Sequence, residues 1–175
     1  MTAQHLYLTG YRGCGKSSVA RSLGMQLGVD VIDLDEAITE EAGKTIPEIF
    51  ATEGEAVFRD LETKVLAALA DRPNSVVALG GGAILRPENR AQIARSGRCV
   101  WLQATPETLA ARIAVDEAEG PVRPSLTGKS PVEEVAEVLA SRIDQYASAA
   151  DYQVTVDEAK IEEIAEAILD WLDQQ

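Results

Sequence analysis

Cysteine is nearly absent: Cys14 and Cys99 are two in 175 residues. They cannot build a metal cage between them, and a chain this long with 46% hydrophobic residues does not depend on one disulfide. A reducing cytoplasm is the expected compartment. No apolar run approaches the roughly 18 residues of a spanning helix. Met1-Thr2-Ala3-Gln4-His5 has neither the cationic start nor the small-residue cleavage site of an export signal. Cations are scarce, with 16 Lys and Arg against 29 Asp and Glu, a net charge of −13. Such a surface repels phosphate backbones and anionic lipid, so neither nucleic acid nor membrane is an expected partner. If the protein handles small anions, its few cations and backbone N–H groups must gather at one place. Repeats, low-complexity tracts and linkers are missing too, which predicts a single domain over residues 1–175.

What is present is alternation. Short apolar runs at 6–9, 31–34, 75–79, 100–102 and 152–156 read as strands. Helical period separates them: Val19, Leu23 and Leu27 are spaced by fours, residues 56–70 and 88–95 follow the same pattern, and the last helix carries Ile161, Ile164, Ile168 and Leu172. Thr45 with Glu48, and Ser130 with Glu133, read as capping boxes, and Thr105-Pro106 as an N-cap with a first-turn proline. Residues 116–129 hold Gly120, Pro121, Pro124, Gly128 and few large apolar side chains, and are expected to form a mobile loop. Strands alternating with helices predict an α/β fold with a parallel sheet covered on both faces.

Gly10-Tyr11-Arg12-Gly13-Cys14-Gly15-Lys16-Ser17 matches G-x-x-x-x-G-K-[ST] between a strand and a helix. Glycines there let backbone N–H groups turn inward around phosphate oxygens at the positive end of the next helix. Lys16 adds charge for the outer phosphates, and the Ser17 hydroxyl is a hard oxygen of the kind Mg²⁺ prefers. Cys14 is read as incidental to this loop. Asp33-Leu34-Asp35 ends the second strand, and side-chain alternation predicts that both carboxylates face one side, beside the phosphate loop. One of them could hold Mg²⁺ through water and the other orient an acceptor hydroxyl; the plainer alternative is a polar strand end capping the next helix. Gly80-Gly81-Gly82 follows the third strand, where missing side chains let a ligand approach the backbone, although a tight turn alone could also explain it. Arg59, Arg123 and Arg142 stand out in so acidic a chain, because a planar guanidinium matches carboxylate or phosphate with two parallel hydrogen bonds.

Together these residues resemble the shikimate kinases, small P-loop kinases of the aromatic amino-acid (chorismate) pathway. The resemblance takes in Asp33-Leu34-Asp35, the run from Gly43 to Gly54, Phe58-Arg59 with Glu62, the triple glycine, Arg123-Pro124-Ser125-Leu126-Thr127-Gly128, and Arg142 four residues before Tyr146. It implies a three-layer P-loop kinase fold with a five-stranded parallel sheet, a mobile lid at about 115–129 and a shikimate-binding helical region at about 35–62. The implied activity is Mg²⁺-dependent transfer of the γ-phosphate of ATP to the 3-hydroxyl of shikimate by a monomer.

The resemblance also implies roles. Gly13, Cys14, Gly15, Lys16, Ser17 and Ser18 would hold ATP phosphates, with Ser17 and Asp33 at the metal. Asp35, Arg59, Gly80, Gly81, Gly82 and Arg142 would bind shikimate, and Lys16, Asp35 and Arg123 would serve transfer itself. Arg112 is the nearest counterpart of an arginine that stacks on adenine, although residues 113–122 run longer than the family pattern and 157–160 offer no arginine or proline for the base. Phosphorylation of another hydroxy acid such as gluconate, or a silent nucleotide-binding regulator, are the alternatives. GTP specificity is disfavoured, because no N-K-x-D guanine signature occurs.

Overall fold

The computed structural model describes residues 4–119 and 128–175. Strands β1 (His5–Thr9), β2 (Asp30–Asp33), β3 (Ser75–Ala78), β4 (Gly97–Gln103) and β5 (Tyr152–Thr155) form one parallel sheet in the order β2-β3-β1-β4-β5. Between and after them run α1 (Lys16–Leu27), α2 (Leu34–Ala42), α3 (Ile46–Thr52), α4 (Glu55–Leu69), α5 (Pro87–Ser96), α6 (Pro106–Glu119), α7 (Pro131–Ala149) and α8 (Ile161–Leu172). None of the described helices is long and apolar enough to cross a membrane.

The order follows from the chain. Central β1 pairs Leu6 with Val76 of β3 and Tyr7 with Cys99 of β4, and all five of its residues are buried. A strand covered on both faces has no solvent side to make polar, hence the unbroken Leu6-Tyr7-Leu8 run. From β1 the chain crosses through α1 to β2 on one side; from β3 it crosses through α5 to β4 on the other. Right-handed crossovers running in opposite directions put α1 and α5 on opposite faces. Helix α8 joins α1, and α7 joins α5, completing the three layers. Leu8, Leu23, Ile38, Leu66, Val77, Ile93, Leu102 and Ile168 are fully buried between them, each stabilising the fold by about 1.5–3 kcal/mol. The crevice opens where loops leave the carboxyl ends of β1 and β3 in opposite directions.

Three local expectations are corrected. Strand β2 stops at Asp33, and Leu34 begins a helix, α2, that the strand-like alternation had hidden. The Asp33 side chain accepts the N–H groups of Asp35 (3.0 Å) and Glu36 (3.4 Å), and Gly43 at φ 64° closes the helix. Helix α6 continues to Glu119, so the first part of the expected loop and lid, residues 115–119, is helical. No glycine or proline interrupts it after Pro106, and the breakers begin only at Gly120. Residues 120–127, with Arg123, lie outside the described residues. At Ser130 the hydroxyl donates to the Glu133 carboxylate at 2.6 Å and does not cap the backbone, whereas the Thr45 and Glu48 box forms in full.

Candidate active site

The phosphate-type loop leaves β1 and enters α1 through Gly10, Gly13 and Gly15 at φ 145°, 86° and 95°, a region that side chains rarely enter. A Cβ at Gly10 would stand 2.6 Å from the Leu102 carbonyl oxygen and 2.8 Å from Cys14 Sγ, so glycine is required there sterically as well. Cys14 is buried behind the loop. Lys16 Nζ donates to the carbonyls of Gly10 (2.7 Å) and Tyr11 (3.1 Å), which folds its ammonium over the loop. Ser17 Oγ donates to Asp33 Oδ2 at 2.9 Å, while Asp33 Oδ1 caps α2. One carboxylate therefore ties the first turns of two helices together.

Two cavities meet at this point. The larger, about 840 Å³, is walled by Gly13 to Ser18, Asp33, Asp35 and Arg112. The smaller, about 410 Å³, is walled by Asp35, Arg59, Gly80, Gly81, Gly82 and Arg142, with Ile46, Pro47, Phe50 and Phe58 supplying apolar surface. Arg12, Asp35, Gly80 and Gly81 belong to both. A group held at their junction is reachable from either side.

Two glycines of the triple run have separate steric reasons to lack a side chain, and the third has ordinary contact distances. A Cβ on Gly80 would stand 2.9 Å from Asp35 Oδ1 and 3.2 Å from Glu62 Oε2; one on Gly82 would stand 2.5 Å from Arg59 Nη2. At Gly81 the nearest groups are the backbone of Arg12 and Gly10 and, at 3.7 Å, Arg142 Nη1. The turn is a groove into which two arginines and two carboxylates converge.

Arg59 Nη1 donates to Glu62 Oε1 at 2.9 Å, three residues on along α4, and its guanidinium lies 5.1 Å from the Phe58 ring centroid. Burial pushes the Glu62 carboxyl above its ordinary value, the Arg59 charge opposing and Asp35 reinforcing the rise. Arg142, which lines the same cavity, lies 6.0 Å from the Tyr11 ring centroid. Arg12 Nη1 donates to Glu117 Oε1 at 3.2 Å, linking the loop to the end of α6.

Apart from Arg123, which lies outside the described residues, the expected residues line the two cavities, with two changes. Asp35 shares a wall with Asp33, but from the first turn of α2 and not from a strand, so side-chain alternation is not the reason. Arg112 turns its guanidinium to backbone: Nη2 donates to the Val156 carbonyl at 2.8 Å and Nη1 approaches that of Gly13 at 3.5 Å. Its place is a brace between the phosphate-type loop and the loop after β5. The predicted gathering of cations is real, since Arg12, Lys16, Arg59, Arg112, Lys129 and Arg142 all line the two cavities. They do not form a purely basic patch, because Glu117, Glu55 and Glu62 pair with Arg12 and Arg59. Glu62 and Arg12 were given no role by sequence reasoning, yet the i,i+3 spacing of Glu62 from Arg59 was a usable signal for the first.

A family model described as shikimate kinase matches residues 12–173. The chain belongs to the shikimate kinase family. A shikimate kinase of Rhodopirellula baltica is 48% identical over 166 residues, covering 95% of this chain and 89% of that one. Another, from Symbiobacterium thermophilum, is 37% identical over 174 residues, covering 98% and 97%. Among solved structures, the shikimate kinase from Acinetobacter baumannii in complex with shikimate superimposes with a TM-score of 0.90 at 34% identity, covering 99% of this chain and 94% of that one. The whole described fold, and not the phosphate-type loop alone, is therefore shared with shikimate kinases.

Proposed function

We propose that this chain transfers the γ-phosphoryl group of ATP to the 3-hydroxyl of shikimate, with ATP in the larger cavity and shikimate in the smaller. The observation that carries this reading is the junction of the two cavities at Asp35 and the Gly80-Gly81 turn. A phosphate-type loop lies on one side of it, and two arginines suited to a single carboxylate lie on the other. Phosphoryl transfer asks a protein for alignment and charge neutralisation more than for covalent chemistry.

In this reading the backbone of Gly13 to Ser18 cradles the phosphates and Lys16 leaves its loop carbonyls to meet the outer oxygens. Asp35 holds the acceptor hydroxyl at the junction, orienting it and taking up its proton. Arg59 and Arg142 bind the shikimate carboxylate, and Gly80, Gly81 and Gly82 let the ring approach the backbone. Arg112 holds the base side of the nucleotide cavity through its carbonyl contacts. Arg123 is assigned to the transferring phosphate by its sequence motif.

Ser17 Oγ and Asp33 Oδ2, 2.9 Å apart on the nucleotide side, are the kind of hard oxygen pair that suits Mg²⁺. Among the described residues no three His, Cys, Asp or Glu side chains cluster as an all-protein cage, so water and phosphate oxygens would complete the coordination. Bound there, Mg²⁺ would neutralise charge on the phosphate oxygens. Residues 1–175 act in this proposal as one domain, a monomer working in the cytoplasm.

The test is ADP formation from ATP and Mg²⁺ with shikimate, with gluconate, or with no acceptor. Strong shikimate dependence with a phosphorylated shikimate as product supports the assignment. Turnover that ignores the acceptor, or that needs gluconate, overturns it.

A further inference from the structure

Tyr146 is fully buried on α7, one helical turn beyond Arg142 and on the same face. Its hydroxyl donates to the Gly81 carbonyl at 2.6 Å, across a sequence separation of 65 residues. The ring is stacked on Trp101 of β4, with centroids 5.4 Å apart and planes 24° from parallel. That packing leaves the phenol little freedom to aim elsewhere. Arg142 lies against the same glycine, its Nη1 3.7 Å from where a Cβ on Gly81 would stand.

We propose that Tyr146 is a positioning residue for the acid-binding wall: its hydroxyl fixes the Gly81 backbone against which the Arg142 guanidinium lies, keeps the two in one register, and so sets the affinity for the substrate carboxylate. This rests on the reading of Arg142 and Gly81 as shikimate contacts. A guanidinium on a long side chain has several rotamers, and holding it in the binding one before substrate arrives removes an ordering penalty from binding. Asn89 and Arg90 secure the far end of the same turn, donating to the carbonyls of Ala83 (2.9 Å), Ile84 (2.7 Å) and Leu85 (2.9 Å). On the Gly81 side, Tyr146 supplies a hydrogen bond to the turn from α7.

The experiment compares Tyr146→Phe, Trp101→Phe and Arg142→Ala in steady-state kinetics, shikimate titration and thermal melting. Tyr146→Phe keeps the ring and its stack, and removes only the hydroxyl. The expected result is a rise of about tenfold or more in shikimate KM and Kd, with ATP KM within twofold of wild type and kcat changed less than shikimate KM. Trp101→Phe keeps the hydroxyl; it should lower Tm and leave shikimate KM within about twofold. If Tyr146→Phe lowers Tm yet leaves shikimate KM and Kd unchanged, while Arg142→Ala weakens shikimate, the tyrosine is only structural and the proposal falls. If Arg142→Ala itself leaves shikimate Kd unchanged, the underlying reading of that wall fails, and the proposal with it.

Discussion

The guanidinium of Arg59 packs against Gly82 so closely that a Cβ on Gly82 would stand 2.5 Å from Nη2 and 2.6 Å from Nη1. Glu62 and Glu55 hold that guanidinium from the helix side, at 2.9 and 3.4 Å. Gly82→Ala should therefore displace Arg59 and raise shikimate KM by about tenfold or more, from loss of a charge-assisted contact. ATP KM should change little. Steady-state kinetics with each substrate varied checks both, and an unchanged shikimate KM would show that Arg59 has room to move without consequence.

Asp33 has two duties that can be separated. Its Oδ1 caps α2 and its Oδ2 accepts from Ser17. Asp33→Ala should lose about 1 kcal/mol of stability from the cap and also raise the Mg²⁺ concentration needed for half-maximal rate. Ser17→Ala should raise the Mg²⁺ requirement with a smaller loss of stability. Denaturant melts and Mg²⁺ titrations of the two variants distinguish these outcomes.

Asp35 sits where the two cavities join. Asp35→Asn keeps shape and removes the carboxylate, so ATP binding should persist within about twofold while kcat falls by about 10² or more, as for a positioned general base. Near-normal turnover in a single-turnover assay would show that this carboxylate is not needed at the acceptor hydroxyl.

Glu62 gives a pH signature. Burial raises its carboxyl above the ordinary 4.5, with Arg59 pulling the other way. A group whose folded pKa is raised contributes stability that is complete below the unfolded value and is lost as pH rises through the folded one. Relative to wild type, Glu62→Gln should therefore gain in Tm as pH is raised from about 4 toward neutrality. Shikimate KM should rise at every pH, because Arg59 loses its buried partner. A Tm difference that moves the opposite way would mean that the ion pair outweighs burial.

The phosphate-type loop was legible because its chemistry is local. Three glycines with positive φ, a lysine and a serine fall within residues 10–17, and the strand before and helix after are short-range patterns. The strands were likewise found, since β1 and β3 are buried on both faces and read as unbroken apolar runs. Helix α2 was not, because its first residues, Leu34 and Asp35, continue the alternation of β2 until the Asp33 cap turns the backbone. The end of α6 was misplaced for a related reason: acidic, apolar-poor residues at 116–119 look like a loop but form helices readily.

Composition and short motifs determined by themselves that this chain folds as an α/β domain with a phosphate-type loop at a strand end, and that its scarce cations must gather at one place if it handles small anions. Which partner each of those cations has was decided only by the tertiary structure. Arg112 is bound to carbonyls 44 and 99 residues away, Arg12 to Glu117, and the Gly81 turn to Tyr146. Local sequence fixes backbone conformation because φ, ψ and capping depend on neighbours a few residues off. Side-chain partners at a site depend on the order of strands in the sheet, which brings the carboxyl ends of β1, β2 and β3 to one edge and sets residues far apart in sequence within hydrogen-bonding distance.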